Sequence, residues 1–231
     1  MSFKAIVADT ETASMKGPVC DLALIEIDSE LNVIDKLEVL LNPGRKMAPA
    51  AQEVHGITDA MVEAQPTMAE FIEANGNPFF VEPGETLYFI AHNAQFDARM
   101  LADVLPEDVK KVCTLRMARN LWPDLDPEEQ NHKLGTLAIM FGLERGPAHR
   151  AMGDAVTCLN LLRLIADTAK VGSFEELMEL GRRPLSLESK ITFGKHKGMK
   201  LGALPMDYVR WLCGNKDMDA DVREALAVRL K

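Results

Sequence analysis

Near the start of the chain an apolar run, residues 3–8 (FKAIVA), leads straight into Asp9-Thr-Glu11, two carboxylates two positions apart. This junction limits the possible folds more than any other stretch. Six residues with β-branched members read as a buried strand, so the carboxylates are delivered at its C-terminal edge, from the interior of a domain. In extended backbone residues i and i+2 share a face. Two like charges held side by side repel and call for a counter-ion. Oxygen-only ligation selects a hard cation, Mg²⁺ or Mn²⁺, over zinc.

Further strand-like runs follow at residues 20–27 and 33–41, joined by Asp28-Ser-Glu-Leu-Asn32, whose turn chemistry makes them a hairpin. Residues 49–74 change to short helices, one announced by the capping-box pattern Thr67-Met-Ala-Glu70. A fourth strand is expected at 86–91 and a short fifth at 111–114, with helices at about 94–104, 134–141 and 148–169. Strands first, then strands alternating with helices, indicate an α/β protein built on a mixed sheet. The expected division is a domain over 1–170, a connector over 171–189 and a small module over 190–231. No internal repeat is evident.

The chain is acidic, with a net charge of −9 over 231 residues, which argues against a broad electrostatic grip on nucleic acid. Residues 1–170 hold 15 basic and 26 acidic side chains, whereas 171–231 hold 11 and 9. The excess therefore lies in the larger segment, where the acidic cluster contributes to it. No signal-peptide pattern or membrane-length apolar run is present. The four cysteines, Cys20, Cys113, Cys158 and Cys213, are scattered among apolar neighbours without a CxxC pair. They read as small buried hydrophobes in a reducing cytoplasm.

Asp97 follows the fourth strand at the start of a helix, and Asp154 opens the long helix with His149 five residues before it. Alone, each acid reads as a residue favoured by the helix dipole. Together with Asp9 and Glu11 they make four carboxylates at element edges with one histidine nearby, and coincidence becomes a poor explanation.

Val7-Ala-Asp9-Thr-Glu11-Thr, His92-Asn-Ala-Gln-Phe-Asp97 and His149-Arg-Ala-Met-Gly-Asp154 resemble the three exonuclease motifs of the DEDDh 3′–5′ exonucleases. The likeness spans roughly residues 3–168, and Glu53-Val-His55-Gly-Ile-Thr58 resembles a further segment of the group. The resemblance implies an RNase H-like fold, a mixed five-stranded sheet flanked by helices, followed by the small C-terminal module. It implies that Asp9, Glu11, Asp97 and Asp154 hold two divalent ions, Mg²⁺ with Mn²⁺ as a substitute, roughly 4 Å apart. Asp9 would bridge the ions and Asp97 would act mainly through water. His149 would be the general base, on a loop that swings in with substrate; histidine's near-neutral pKa suits that work.

The same resemblance places Thr10, Thr12 and Ala13 along the 3′-terminal nucleotide, His55 and Phe96 beside its sugar or base, and Asn93 near the scissile end. Phe96 reads equally well as a core residue. Ala13-Ser14-Met15 stands where the family continues with a glycine and an apolar wedge, so Met15 keeps the wedge and Ser14 replaces the glycine. His132, in Asn131-His-Lys-Leu134, is the competing base, expected at the surface or capping a helix.

In the tail, Thr192-Phe-Gly-Lys-His-Lys-Gly198 with Tyr208-Val-Arg-Trp211 resembles the module of one DNA-degrading branch of the group. Lys190, Lys195, Lys197 and Lys200 lie there without an acid between them, and Lys195, Lys197 and Lys200 are candidates for distal phosphate contacts. Trp211 is expected in the module's core. The function so implied is release of nucleoside monophosphates from DNA 3′ ends, single- or double-stranded, in repair or turnover. An exoribonuclease of the same fold, a non-catalytic nucleic-acid-binding module and a polymerase-associated proofreading subunit remain the alternatives.

Overall fold

A computed structural model of the chain describes residues 2–125, 131–215 and 218–231. Its sheet is built from β1 (Phe3–Thr12), β2 (Val19–Ile27), β3 (Val33–Leu40), β4 (Thr86–Ala91) and β5 (Lys110–Cys113). Three short helices, α1 (Pro49–His55), α2 (Asp59–Val62) and α3 (Met68–Asn75), precede β4, and α4 (Ala94–Met100) follows it. Then come α5 (Thr114–Leu121), α6 (Leu134–Met140), α7 (Ala151–Ala169) and α8 (Phe174–Leu180). The C-terminal module holds α9 (Met206–Gly214) and α10 (Ala220–Ala227).

The strand order is β3-β2-β1-β4-β5. β1, β2 and β3 pair antiparallel, whereas β4 runs parallel to β1 and β5 parallel to β4. This is the mixed five-stranded sheet that the sequence implies. Turn chemistry sets the hairpin: the Asp28 carboxylate accepts the N–H groups of Glu30 (2.9 Å) and Asn32 (2.8 Å). The capping box at α3 is complete, since the Thr67 hydroxyl accepts the Glu70 N–H and the Glu70 carboxylate accepts the Thr67 N–H.

Side-chain alternation along β1 divides the core. Ala5 and Val7 join Ala23, Ile25 and Ile90 under α7, while Ile6 and Ala8 join Leu22, Leu24 and Phe89 against α3 and α4. Both faces are covered, so these strands carry nearly continuous apolar runs.

β1 does not stop at residue 8. It continues through Asp9 to Thr12, because β2 pairs with it as far as Val19 opposite Thr12. β4 does stop, its pairing ending at Ile90 opposite Val7. The last turn of sheet therefore has a notch beside β1 on the β4 side.

The segment 171–189 is shared between two cores. Phe174, Leu177 and Met178 of α8 pack into the core under α7, whereas Leu185 joins Ile191, Leu201, Tyr208, Val209, Leu212 and Leu226 in a separate cluster. α5, which carries no sequence signal of its start, connects the two. Buried Arg116 pairs with buried Asp221 and with Glu224, and Arg119 pairs with Asp219. Trp211 departs from expectation: it is 52% exposed and stacks on Tyr208 instead of filling the module's core. Tyr208, 7% exposed, takes that interior place. Among the described residues no helix is long and apolar enough to cross a membrane.

Candidate active site

In the notch, backbone groups of β1 lose their strand neighbour and need other partners. Asp97 supplies one. Its Oδ1 accepts the Thr10 N–H at 3.1 Å and the Thr10 hydroxyl at 2.8 Å. Asp97 can reach Thr10 because β4 ends at Ala91, and the chain turns through Asn93, in left-handed conformation (φ 78°), into α4. Strand parity does the rest. Thr10 shares the parity of Ile6 and Ala8, on the α4 side, while Asp9 and Glu11 share that of Ala5 and Val7, on the α7 side.

From the α7 side come Asp154 and His149. Ligand atoms of Glu11, His149 and Asp154 all lie within 4.8 Å of one another, a group able to hold a metal ion. The imidazole is exposed and stands beside the carboxylates, on the loop that enters α7. That loop is tied down at several points. The His149 N–H donates to Asp154 Oδ2 at 2.9 Å, and His149 itself is left-handed (φ 58°), a conformation that costs a non-glycine residue energy. Arg150 Nε donates to Asp21 Oδ2 at 2.9 Å, and the Ala151 N–H donates to the same oxygen at 3.3 Å. Residues 146–147 lie flat on α7: a Cβ on Gly153 would meet the Pro147 carbonyl oxygen at 1.9 Å. Only glycine permits that approach.

Burial, and then the charges of Asp97, Asp154, Glu11 and Asp21, hold the Asp9 carboxyl well above the usual range. Burial pushes Glu11 up to about 7, with Asp154, Asp21 and Asp97 adding to it and only Arg150 opposing. Burial also lifts Asp97 to about 7 against the stabilising hydrogen bonds from Thr10, and raises Asp154 against the His149 N–H. Acidic neighbours thus dominate around Asp9 and Glu11, with Arg150 opposing at Glu11 and His149 at Asp154.

Around this centre, Thr12 is buried and its hydroxyl donates to the Ser14 carbonyl at 2.8 Å. Ala13 is buried with Cys20, Met47, Ile57 and Val62, and both its backbone groups are bonded, to Pro18 and Ala48. Its side chain supports the turn from below. The turn presents Met15, 87% exposed. His55 is buried. Its Nδ1 accepts the Ile57 N–H at 3.0 Å, which leaves Nε2 to donate to the Thr12 carbonyl at 3.3 Å. Asn93 is exposed, and half-buried Phe96 lies under the Arg99 guanidinium at 5.5 Å.

Lys195 sits 5.3 Å over the Tyr208 ring, Lys200 pairs with Glu188 at 2.7 Å, and Lys197 lines a cleft with His92 and Asn93. His132 is not at the surface. It is buried, its Nε2 faces the Trp122 carbonyl at 2.9 Å, and its own carbonyl accepts from His92 Nε2.

Asp21 is the residue that sequence reasoning missed. It is fully buried, lies opposite Glu11 in the β1–β2 register, and holds the loop that carries His149. The available signal was one acid inside an otherwise apolar strand, Val-Cys-Asp21-Leu-Ala. Such a charge is rarely buried without a partner.

Residues 6–162 match the exonuclease family model typified by RNase T. Exodeoxyribonuclease 10 of Escherichia coli K12 is 30% identical over 227 residues, covering 95% of this chain and 96% of that protein. DNA polymerase III subunit epsilon of Treponema pallidum is 31% identical over 172 residues, covering 70% and 76%. Among solved structures, exonuclease X in complex with 5′ overhanging duplex DNA superposes with a TM-score of 0.60 at 27% identity, over 78% of this chain and 99% of that one. Escherichia coli exonuclease I in complex with a dT13 oligonucleotide shares the fold, with a TM-score of 0.62 at 22% identity, over 74% and 42%.

Proposed function

The chain belongs to the RNase T-type exonuclease family, and from that membership we propose that it is a metal-dependent 3′–5′ exodeoxyribonuclease releasing nucleoside monophosphates from DNA 3′ ends. The observation that carries the reading is the cluster at the notch, four carboxylates raised by burial, with neighbouring acids adding to the shift at Asp9 and Glu11. An oxygen-rich, charge-deficient site of this kind fits hard divalent cations, so Asp9, Glu11, Asp97 and Asp154 would hold Mg²⁺ or Mn²⁺. When bound, such ions lower the pKa of water and stabilise the oxyanion of an in-line phosphoryl displacement.

The chain's own groups do the rest. His149 takes the proton as water attacks the terminal phosphorus, and the bond from phosphorus to the 3′ oxygen breaks. The departing 3′ oxygen takes up a proton from solvent water, so the products are a nucleoside 5′-monophosphate and a new 3′-hydroxyl. Its anchored backbone keeps the ring beside Glu11 and Asp154, which is the positioning a general base requires. Thr10 and Thr12 hold the strand edge along which the 3′-terminal nucleotide lies, with Asn93 and Phe96 flanking it and His55 bracing the turn beneath.

DNA is favoured over RNA by the names of the relatives, an exodeoxyribonuclease aligned over nearly its whole length and an exonuclease solved on duplex DNA. A place in DNA repair or turnover in the cytoplasm accords with that substrate and with four free cysteines. The division into exonuclease domain, connector and C-terminal module is part of the same reading.

Digestion of labelled single- and double-stranded DNA and RNA in Mg²⁺ tests it. Mononucleotides are expected from DNA 3′ ends, with EDTA or Asp9→Ala abolishing release, and no hydrolysis of any polymer would reject the function. His149→Ala should cut turnover by about 10²–10⁴-fold while calorimetric Mg²⁺ binding persists. Unchanged turnover would remove His149 from the base role.

A further inference from the structure

His149 stands between two elements that could drift apart: Asp154 belongs to α7 and Glu11 to β1. Its contact with the first is local. The His149 N–H donates to Asp154 Oδ2, and the close approach of Pro147 to Gly153 seats residues 146–147 on the same helix. Both anchors travel with α7, so neither fixes the ring against the sheet. The ties to the sheet run through the next two residues. Arg150 Nε and the Ala151 N–H donate to Asp21 on β2, and Arg150 reaches Glu38 on β3 more loosely, at 3.5 Å.

Asp21 is placed to make that tie count. It stands directly opposite Glu11 in the β1–β2 register and shares the parity of Ala23 and Ile25, on the α7 side. Opposed residues of an antiparallel pair hold their Cβ atoms about 5 Å apart. Ala151 is the first residue of α7, and the N-cap, Arg150, supplies no side-chain acceptor of its own. The first N–H groups of a helix need acceptors, and a negative charge there is favoured by the dipole. Here the acceptor comes from a strand, so one carboxylate pins the start of α7 to the strand pair that carries Glu11. Packing alone does not explain an acid at this place. Asp21 is 0% exposed, and among the described residues its Oδ1 has no hydrogen-bond partner. A bare buried oxygen and a like charge directly across the ladder both cost free energy.

We propose that Asp21 is a positioning residue for hydrolysis: through Arg150 and Ala151 it sets the His149 ring against Glu11, and its effect on turnover passes through His149. This rests on the exonuclease reading with His149 as the base, and adds the group that aligns the base with the sheet. Asp154 fixes the ring along α7, Asp21 fixes α7 on the strands, and the two together define where the attacking water loses its proton. A base displaced by about 1 Å costs on the order of 10²-fold in rate.

A double-mutant cycle on the full chain tests it, with kcat and KM read on a 3′-labelled oligodeoxynucleotide in Mg²⁺ and the melting temperature of each variant confirming its fold. Asp21→Asn keeps the size and an acceptor oxygen and discards the charge that holds Arg150. In the wild-type background it is expected to lower kcat by about 10–10²-fold with KM within about twofold. In the His149→Ala background it should lower kcat by less than about twofold, because the group it positions is gone. Asp21→Glu, which keeps the charge, should recover part of the turnover. Arg150→Gln breaks the same tie from its half-buried end and should show the same dependence on His149, so the cycle can be closed even if Asp21→Asn does not fold. Equal losses in both backgrounds, the mark of a role in folding alone, would overturn the proposal, as would wild-type kcat in Asp21→Asn. Wild-type protein that hydrolyses no DNA would instead count against the exonuclease reading.

Discussion

Asp97 serves two purposes that oppose each other. It closes the notch by accepting two hydrogen bonds from Thr10, and it places a carboxylate in a buried, already negative cluster. Its pKa in the fold, about 7, lies above that of a carboxylate in the unfolded chain, so the folded state binds that proton more tightly. The resulting stability is complete below about pH 4 and is lost as pH rises through about 7. Asp97→Asn keeps the acceptor oxygen and discards the charge. Metal-free Asp97→Asn should melt at least about 2 °C above the wild type at pH 8, with the gap closing toward pH 5 and activity lost. Calorimetry at both pH values checks this, and a gap independent of pH would refute it. The acids of the three motifs were legible because each sits at a strand or helix edge in sequence order. Asp21, Trp211 and His132 were not: Asp21 and His132 meet partners far away in sequence, and Trp211 is displaced from the interior by a tyrosine one helical turn before it. Asp21 faces Arg150, Trp211 gives way to Tyr208, and His132 is covered by Trp122 and His92.

At the scale of elements, the segment entering α7 sets where the histidine stands. Its anchors are the Arg150–Asp21 pair, the Asp154 cap on the His149 N–H, and the contact of residues 146–147 with Gly153. A methyl at Gly153 has no room and must lift the loop. Gly153→Ala is therefore expected to lower kcat by about 10²-fold, the scale of a 1 Å misplacement, while single-strand binding in EDTA stays intact. Wild-type kcat in that variant would show that the loop's seat on α7 is irrelevant. The period-2 and period-3.6 patterns located all five strands and the long helix within a few residues. α5 escaped because it follows β5 without a break and has no side-chain cap at Cys113. The true end of β1 escaped for a related reason. A strand persists while a neighbour pairs with it, and β2 does so through two acids that alone read as a turn.

At the scale of the whole molecule, two cores are joined through one helix. Arg116, buried in α5, meets buried Asp221, with Glu224 and the Arg119–Asp219 pair at the rim. Removing one partner of a buried pair strands the other, at a cost of about 3–5 kcal/mol. Arg116→Met is thus expected to uncouple the module, so that a single calorimetric melting transition divides into two. A single unshifted transition would show the joint to be unimportant. The motif at residues 192–198 suggested a small C-terminal module in sequence, but nothing local announces the contacts of residues 219–224 with α5. The overhang of β1 past β4 carries one more consequence, for how such a protein can be wrong. Carboxylates and threonines alternate along that overhang, so a shift of one position against β2 exchanges them between faces and sends the acids away from Asp154. A mis-paired molecule would be silent, not sluggish. The specific activity of a preparation then counts the molecules whose first strand has found its place.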